Sequence, residues 1–96
     1  MNKGYVYFLT NYKRSAPYIG VTSNLSRRIW EHKEGKGSEF TARYKLTILV
    51  YAEGLDSITD AITREKQLKN RHKDRKWNLV KQHNPKLKDC YETMRT

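Results

Sequence analysis

Apolar and polar positions alternate from Gly4 to Thr10, in the stretch "GYVYFLT". A period of two, carried by Tyr, Val and Phe, predicts a β-strand. Tyr18 to Val21 predicts a second strand. Between them, Asn11 to Pro17 is polar and carries the turn formers Asn, Ser and Pro, so a hairpin is expected. Alternation sorts its two faces. Val6 and Phe8 share one side with Ile19 and Val21. Tyr5 and Tyr7 share the other with Tyr18 and Gly20, provided the register pairs them so.

The pattern then lengthens to a helical period. Thr22, Ser23 or Asn24 offers an N-cap for a helix from about Leu25 to Glu34, with Leu25 and Ile29 on its apolar stripe. Gly35 to Ser38 reads as a flexible break. The apolar and β-branched run from Leu46 to Tyr51 predicts a third strand. Asp56 or Ser57 can cap a second helix running to about Asn70, whose stripe is Ile58, Ala61, Ile62 and Leu68. Trp77 to Lys81 belongs to a third helix that stops before Pro85. Residues 1–88 thus read as one α+β domain, a small three-stranded, mostly antiparallel sheet flanked by helices in the order β-β-α-β-α-α. Residues 89–96 read as a loosely ordered C-terminal tail.

Two charged residues interrupt this pattern. Spacings of three and four place Glu65 on the stripe of the second helix, where a carboxylate is costly unless it is paired, binds a metal or lines a cleft. Pairing with Lys69 one turn later is the plain alternative. In the first helix, Arg28 follows Leu25 by three and precedes His32 by four, so both flank the inward stripe. Arg27 and Arg28 diverge by about 100° around the helix, and only one of them can look inward.

Composition adds a partner class. Twenty Lys and Arg face ten Asp and Glu, a net charge of +10 on 96 residues. Between Arg64 and Lys88, ten basic residues face Glu65 and Asp74, a net of +8 in a quarter of the chain. Such a patch attracts polyanions, of which nucleic acid is the commonest. No stretch approaches the ~18 consecutive apolar residues of a membrane span. The start of the chain lacks a signal-peptide pattern. Cys90 is the single cysteine, which excludes an internal disulfide and fits a reducing, cytoplasmic compartment.

The unusual residues suit one chemistry. Phosphodiester hydrolysis uses a hard divalent cation on a carboxylate, a group that relays a proton from water, and a cation against the phosphate. Glu65, Tyr7, Tyr18, His32 and Arg28 include each of those types. Glu53, at the end of the third strand, is a rival metal ligand.

Tyr5-Val6-Tyr7, Tyr18-Ile19-Gly20, Arg28 ten residues after Tyr18, and Glu65 in a later helix together resemble the GIY-YIG nuclease superfamily. Within it, "YIGVTSNLSRRIWEHKEG" and "AITREKQLKNRHKDRKWNLVKQHNP" are similar to the small stand-alone bacterial domain proteins. The first triplet departs from Gly-Ile-Tyr but keeps its tyrosine. The resemblance implies a three-stranded antiparallel sheet with helices and metal-dependent cleavage of DNA. It implies that Glu65 holds a single Mg2+ or Mn2+, that Tyr7 acts as general base on water, and that Tyr18 positions water or phosphate. Arg28 would stabilise the scissile phosphate, and His32 would assist the proton transfer. Asn84, or failing it Asn78, would be the late asparagine of the family. Arg27, Lys69, Arg71, Lys73 and Asn84 are expected to contact nucleic acid. The expected role is a DNA endonuclease of repair or recombination, with a protein partner for targeting left open. A nucleic-acid-binding module with little or no cleavage is the alternative, and a small protein-interaction domain is the third.

Overall fold

The computed structural model describes residues 2–94 of the chain. Strands β1 (Gly4–Thr10), β2 (Tyr18–Thr22) and β3 (Ile48–Leu55) form one antiparallel sheet in the order β2-β1-β3. Tyr7 stands opposite Gly20, and Phe8 opposite Ile19. That register puts Tyr5, Tyr7, Tyr18 and Gly20 on one face and Val6, Phe8, Ile19 and Val21 on the other, as the alternation predicts. Between β1 and β3 the pairing jumps from Tyr51 opposite Phe8 to Leu49 opposite Leu9, leaving Val50 as the extra residue of a bulge.

Both faces are covered. Val6, Phe8, Ile19 and Val50 pack under Ala61 and Leu68 of helix α3 (Ile58–Lys69) and Trp77 and Val80 of helix α4 (Lys73–His83). Tyr7, Leu9 and Leu49 pack with Leu46 and with Leu25 and Ile29 of helix α1 (Leu25–Lys33). The hairpin alternation thus sends Val6, Phe8, Ile19 and Val21 under α3 and α4 and puts Tyr5, Tyr7 and Tyr18 on the side of α1. Asn24 caps α1 by accepting from the Arg27 N–H at 3.1 Å, and Ser57 caps α3 by accepting from the Asp60 N–H at 3.0 Å. Among the described residues, no helix is long and apolar enough to cross a membrane.

The structure departs from the sequence pattern at five places. The inward residues of α3 are Ala61 and Leu68, whereas Ile58 and Ile62 are 40% and 42% exposed. Ala61 and Leu68, seven residues apart, lie almost in line along the helix, and Ile58 and Ile62 both fall to one side of that line, at the margin. The break after Gly35 ends in a short helix, α2 (Glu39–Arg43), capped by Ser38; five residues are too few for a period to show. Strand β3 begins two residues later than Leu46 and runs on to Leu55. Helix α4 holds Trp77 to Lys81 and stops before Pro85 as expected, but it reaches back to Lys73 and on to His83 through basic flanks that carry no apolar signal. The segment after Lys88 is fastened rather than loose. Asp89 pairs with Lys33, and the Cys90 N–H donates to the Leu49 carbonyl at 2.7 Å. A final turn, α5 (Tyr91–Met94), follows, with Tyr91 against the second core cluster.

Truncating Leu68 to Ala should cost about 2–5 kcal/mol of stability, whereas Ile62→Ala should change it by about 0.5 kcal/mol or less. Urea denaturation of the two variants checks the packing; equal losses would contradict it.

Candidate active site

The tyrosine face meets α1 at a buried hydrogen bond. Tyr7 and His32 are each 1% exposed, and the Tyr7 hydroxyl lies 3.0 Å from His32 Nε2. On its other side, His32 Nδ1 lies 3.0 Å from Thr41 Oγ1 in α2. Thr41 donates its own proton to the Ser38 carbonyl at 3.2 Å, so its oxygen is left to accept from Nδ1–H. That arrangement suits the tautomer with the proton on Nδ1, in which Nε2 accepts from the Tyr7 O–H. Every buried polar side-chain atom among the described residues has a partner, as a buried network requires.

Two glycines make room for this pair. A Cβ at Gly20 would lie 2.4 Å from the Tyr7 hydroxyl oxygen, and one at Gly37 would lie 2.1 Å from His32 Nδ1. Neither approach is tolerable for any other residue without displacing the ring. Gly20 is the glycine of the second triplet. Gly37, Ser38 and Thr41 are the supporting residues that the sequence pattern missed. The one signal for them is Ser38, a good N-cap placed directly after a glycine.

The surrounding charges set the protonation states. Burial, together with the Arg28 charge, lowers His32 to a pKa of about 4 against the opposing effect of Glu31, so the imidazole is neutral at pH 7. Burial also raises the Tyr7 phenol above its ordinary value. The Arg28 guanidinium beside it opposes that shift, and the charges of Tyr18 and Glu65 add to it. Arg28 is half-buried and donates to Glu31 at 3.2 Å, while Arg27 is exposed. The Tyr18 ring stands 6.2 Å from the His32 ring, centroid to centroid. Tyr7, Tyr18, Arg28 and His32 therefore line one region, and Glu65 is close enough for its charge to act on Tyr7.

Glu65 lies between Ala61 and Leu68 on the inward side of α3, with Lys69 at 3.4 Å. Among the described residues, no group of three or more His, Cys, Asp or Glu side chains comes together to hold a metal. A lone carboxylate with one long ion pair still suits Mg2+ or Mn2+, which take one or two protein carboxylates and complete the shell with phosphate and water. Glu53 does not suit them. Arg64 grips both of its oxygens at 2.8 and 3.0 Å, and the Tyr51 hydroxyl donates to it at 2.6 Å. Burial opposes ionisation of Glu53, but those hydrogen bonds outweigh it and hold its pKa below the usual range. Glu53 pairs across from Val6, on the face away from Tyr7.

The remaining expected contacts spread over the surface. Lys69, Arg71 and Lys73 are exposed on α3, at the turn after it and at the start of α4. Asn78 lines a shallow polar depression with Arg71 and Arg75. Asn84 stands apart from the tyrosines. Its amide donates to the Val50 and Lys88 carbonyls at 3.0 and 2.8 Å and accepts from the Lys88 N–H at 3.1 Å, tying the end of α4 to the β3 edge.

Comparison with known proteins bears on this geometry. The family model described as the GIY-YIG catalytic domain matches residues 3–78. A "UPF0213 protein" of Syntrophus aciditrophicus is 37% identical over 83 residues, covering 85% of this chain and 94% of the relative. A UPF0213 protein of Staphylococcus haemolyticus is 33% identical over 82 residues, covering 85% and 99%. One of Natronomonas pharaonis is 36% identical over 76 residues, covering 79% and 88%. No solved structure matches the chain.

Two measurements check the buried pair. Thr41→Val leaves the His32 Nδ1–H unsatisfied and should cost about 1–3 kcal/mol by chemical denaturation, with Thr41→Ser restoring most of it. The folded pKa of His32, about 4, lies below its unfolded value of 6.5. The unfolded chain therefore binds the extra proton first as pH falls, and stability is lost from about pH 6.5 down to about 4. The stability advantage of wild type over His32→Gln should shrink across that window; a constant advantage would contradict a neutral buried imidazole.

Proposed function

The chain belongs to the GIY-YIG catalytic-domain family, a nuclease family, and we propose that it is a DNA endonuclease that hydrolyses phosphodiester bonds. One observation carries this reading: the 3.0 Å hydrogen bond from the Tyr7 hydroxyl to Nε2 of a neutral His32, with Arg28 alongside. A phenol of raised pKa is a poor base by itself. Coupled to an imidazole whose free lone pair already points at it, the phenol can pass a proton on without first becoming phenolate. Tyr7 Oη takes a proton from the attacking water as its own proton moves to Nε2. Thr41 keeps the proton on Nδ1 and so leaves the Nε2 lone pair free to accept. Water oxygen forms the new bond to phosphorus, the ester oxygen leaves with the old bonding pair, and solvent protonates it.

Arg28 bears the charge that builds on the phosphate, its planar fork matching two oxygens once it turns from Glu31. Tyr18 holds the water or the phosphate in line. Glu65 would hold a divalent cation, Mg2+ or Mn2+, which when bound supplies positive charge to the phosphate oxygens. The +10 net charge favours a nucleic-acid substrate. The reading places the protein in the cytoplasm, in DNA repair or recombination, with a protein partner as one route to targeting.

A second reading has one observation in its favour. Tyr7 is nearly without exposure and its pKa is raised. That suits a DNA-binding module that keeps the fold and cleaves feebly. A cleavage assay on branched, nicked and single-stranded DNA, with Mg2+, Mn2+ or EDTA, separates the two. Cleavage should need the metal, and Tyr7→Phe and Glu65→Ala should each lower it by about 100-fold or more. Cleavage that survives both substitutions would overturn the assigned residues. Binding without cleavage under any metal would favour the module.

A further inference from the structure

Beside the candidate site lies a groove of about 340 Å³ that the hydrolytic chemistry does not use. One wall is aromatic. The Tyr18 and Phe40 rings are stacked, 6.0 Å between centroids and 28° between planes, and Tyr44 follows 4.8 Å beyond Phe40. Phe40 and Tyr44 are 55% and 51% exposed, one in α2 and the other at its C-cap, so together they form an exposed aromatic patch. The rim is cationic. Lys69 and Lys76 line the groove, and among the described residues no acidic side chain does. The Arg43 guanidinium lies 5.7 Å from the Tyr44 ring centroid.

The groove is continuous with the site. Tyr18 faces His32 on one side and Phe40 on the other, and Lys69 reaches from the groove to Glu65. A ligand seated there has a flat apolar body and carries negative charge. A nucleotide meets both demands: its base stacks on aromatic faces, and its phosphate pairs with lysine. The volume lies within the ~300–1,000 Å³ range of small-ligand sites and is far too narrow for a duplex. A base paired within a duplex is covered on both faces by its neighbours and cannot offer a face to Phe40.

We propose that this groove is a stacking pocket for one unpaired DNA base adjoining the phosphate held at Tyr18 and Arg28. The inference rests on the endonuclease reading for its choice of DNA. It makes the substrate a strand with at least one nucleotide out of the helix, and Phe40 and Tyr44 the residues that select it.

Binding without cleavage tests it. Fluorescence anisotropy in EDTA compares three labelled duplexes: fully paired, with a one-nucleotide bulge, and with the same bulge lacking its base. Wild type should bind the bulged duplex about 5- to 100-fold tighter than the paired one, and the base-free bulge should lose that gain. Phe40→Leu/Tyr44→Leu, which keeps apolar bulk without a ring face, should bind all three alike while retaining wild-type affinity for the paired duplex. Lys76→Gln should weaken all three together and lower the salt slope by about 1. The pocket is overturned if the base-free bulge binds as tightly as the complete one, or if the double-leucine variant keeps the preference. It is overturned equally if that variant only loses self-association in sedimentation. Cleavage is read separately, so a base preference without cleavage sinks the endonuclease and leaves the pocket. Cleavage without a base preference does the reverse.

Discussion

The hydrogen bond between Tyr7 and His32 sets the terms for half of the structure. It joins two polar groups that are almost completely removed from water, where an unmade bond costs most. Everything around it follows from that burial. Gly20 must be glycine because the Tyr7 ring occupies the place of its side chain, and Gly37 because the His32 ring does. Ser38 caps α2, α2 presents Thr41, and Thr41 takes the Nδ1 proton. A five-residue helix that could not stand alone is thus held by its cap and by the hydrogen bond it supplies.

The sheet keeps this chemistry apart from the packing that stabilises the fold. Under α3 and α4 the centre of the layer is apolar, with Glu53, Arg64 and the Tyr51 hydroxyl paired to one another beside it. Under α1 the apolar layer gives way to the phenol and imidazole as it nears β2. Since β1 is the central strand and helices cover both faces, all its residues but Tyr5 are buried, and Tyr7 is buried by topology rather than by preference. The consequence is electrostatic. Burial drives both members of the pair toward their neutral forms, and neutral forms are what a proton relay between a hydroxyl and an imidazole begins from.

Charge at the rim has a different logic. Arg28 and Glu65 sit on helix faces that look toward the sheet, yet each keeps partial exposure and a single ion pair, with Glu31 and Lys69. Ion pairs of that kind are weak and are readily exchanged for a stronger partner. Glu53 shows the contrast. Its oxygens are committed to Arg64 and Tyr51, and it serves as an internal brace. Two carboxylates that the sequence left as rivals are separated by their partners: Arg64 and Tyr51 occupy Glu53, whereas Glu65 has a 3.4 Å contact with Lys69.

Much of this was written in local pattern. Alternation in "GYVYFLT" and "YIGV" determined the hairpin, its two faces and the side on which Tyr7 and Tyr18 lie, because a strand's period of two admits no other sorting once the register is set. Helical spacing placed Arg28 and Glu65 on inward stripes, and Asn24 and Ser57 capped where caps were expected. The tertiary structure decided the rest, for physical reasons. A hydrogen bond from α1 to a short helix nine residues on has no periodic signature, so Gly37, Ser38 and Thr41 could not be read as partners of His32. Which line of α3 faces the sheet is set by packing, and it is the line of Ala61 and Leu68, so Ile58 and Ile62 lie at the margin. Asn84 became a clamp because β3 happened to offer it a carbonyl. Sequence determined which residue types share a face; only the fold brought those faces together, because burial and hydrogen-bond satisfaction are properties of the assembled layers and not of the chain.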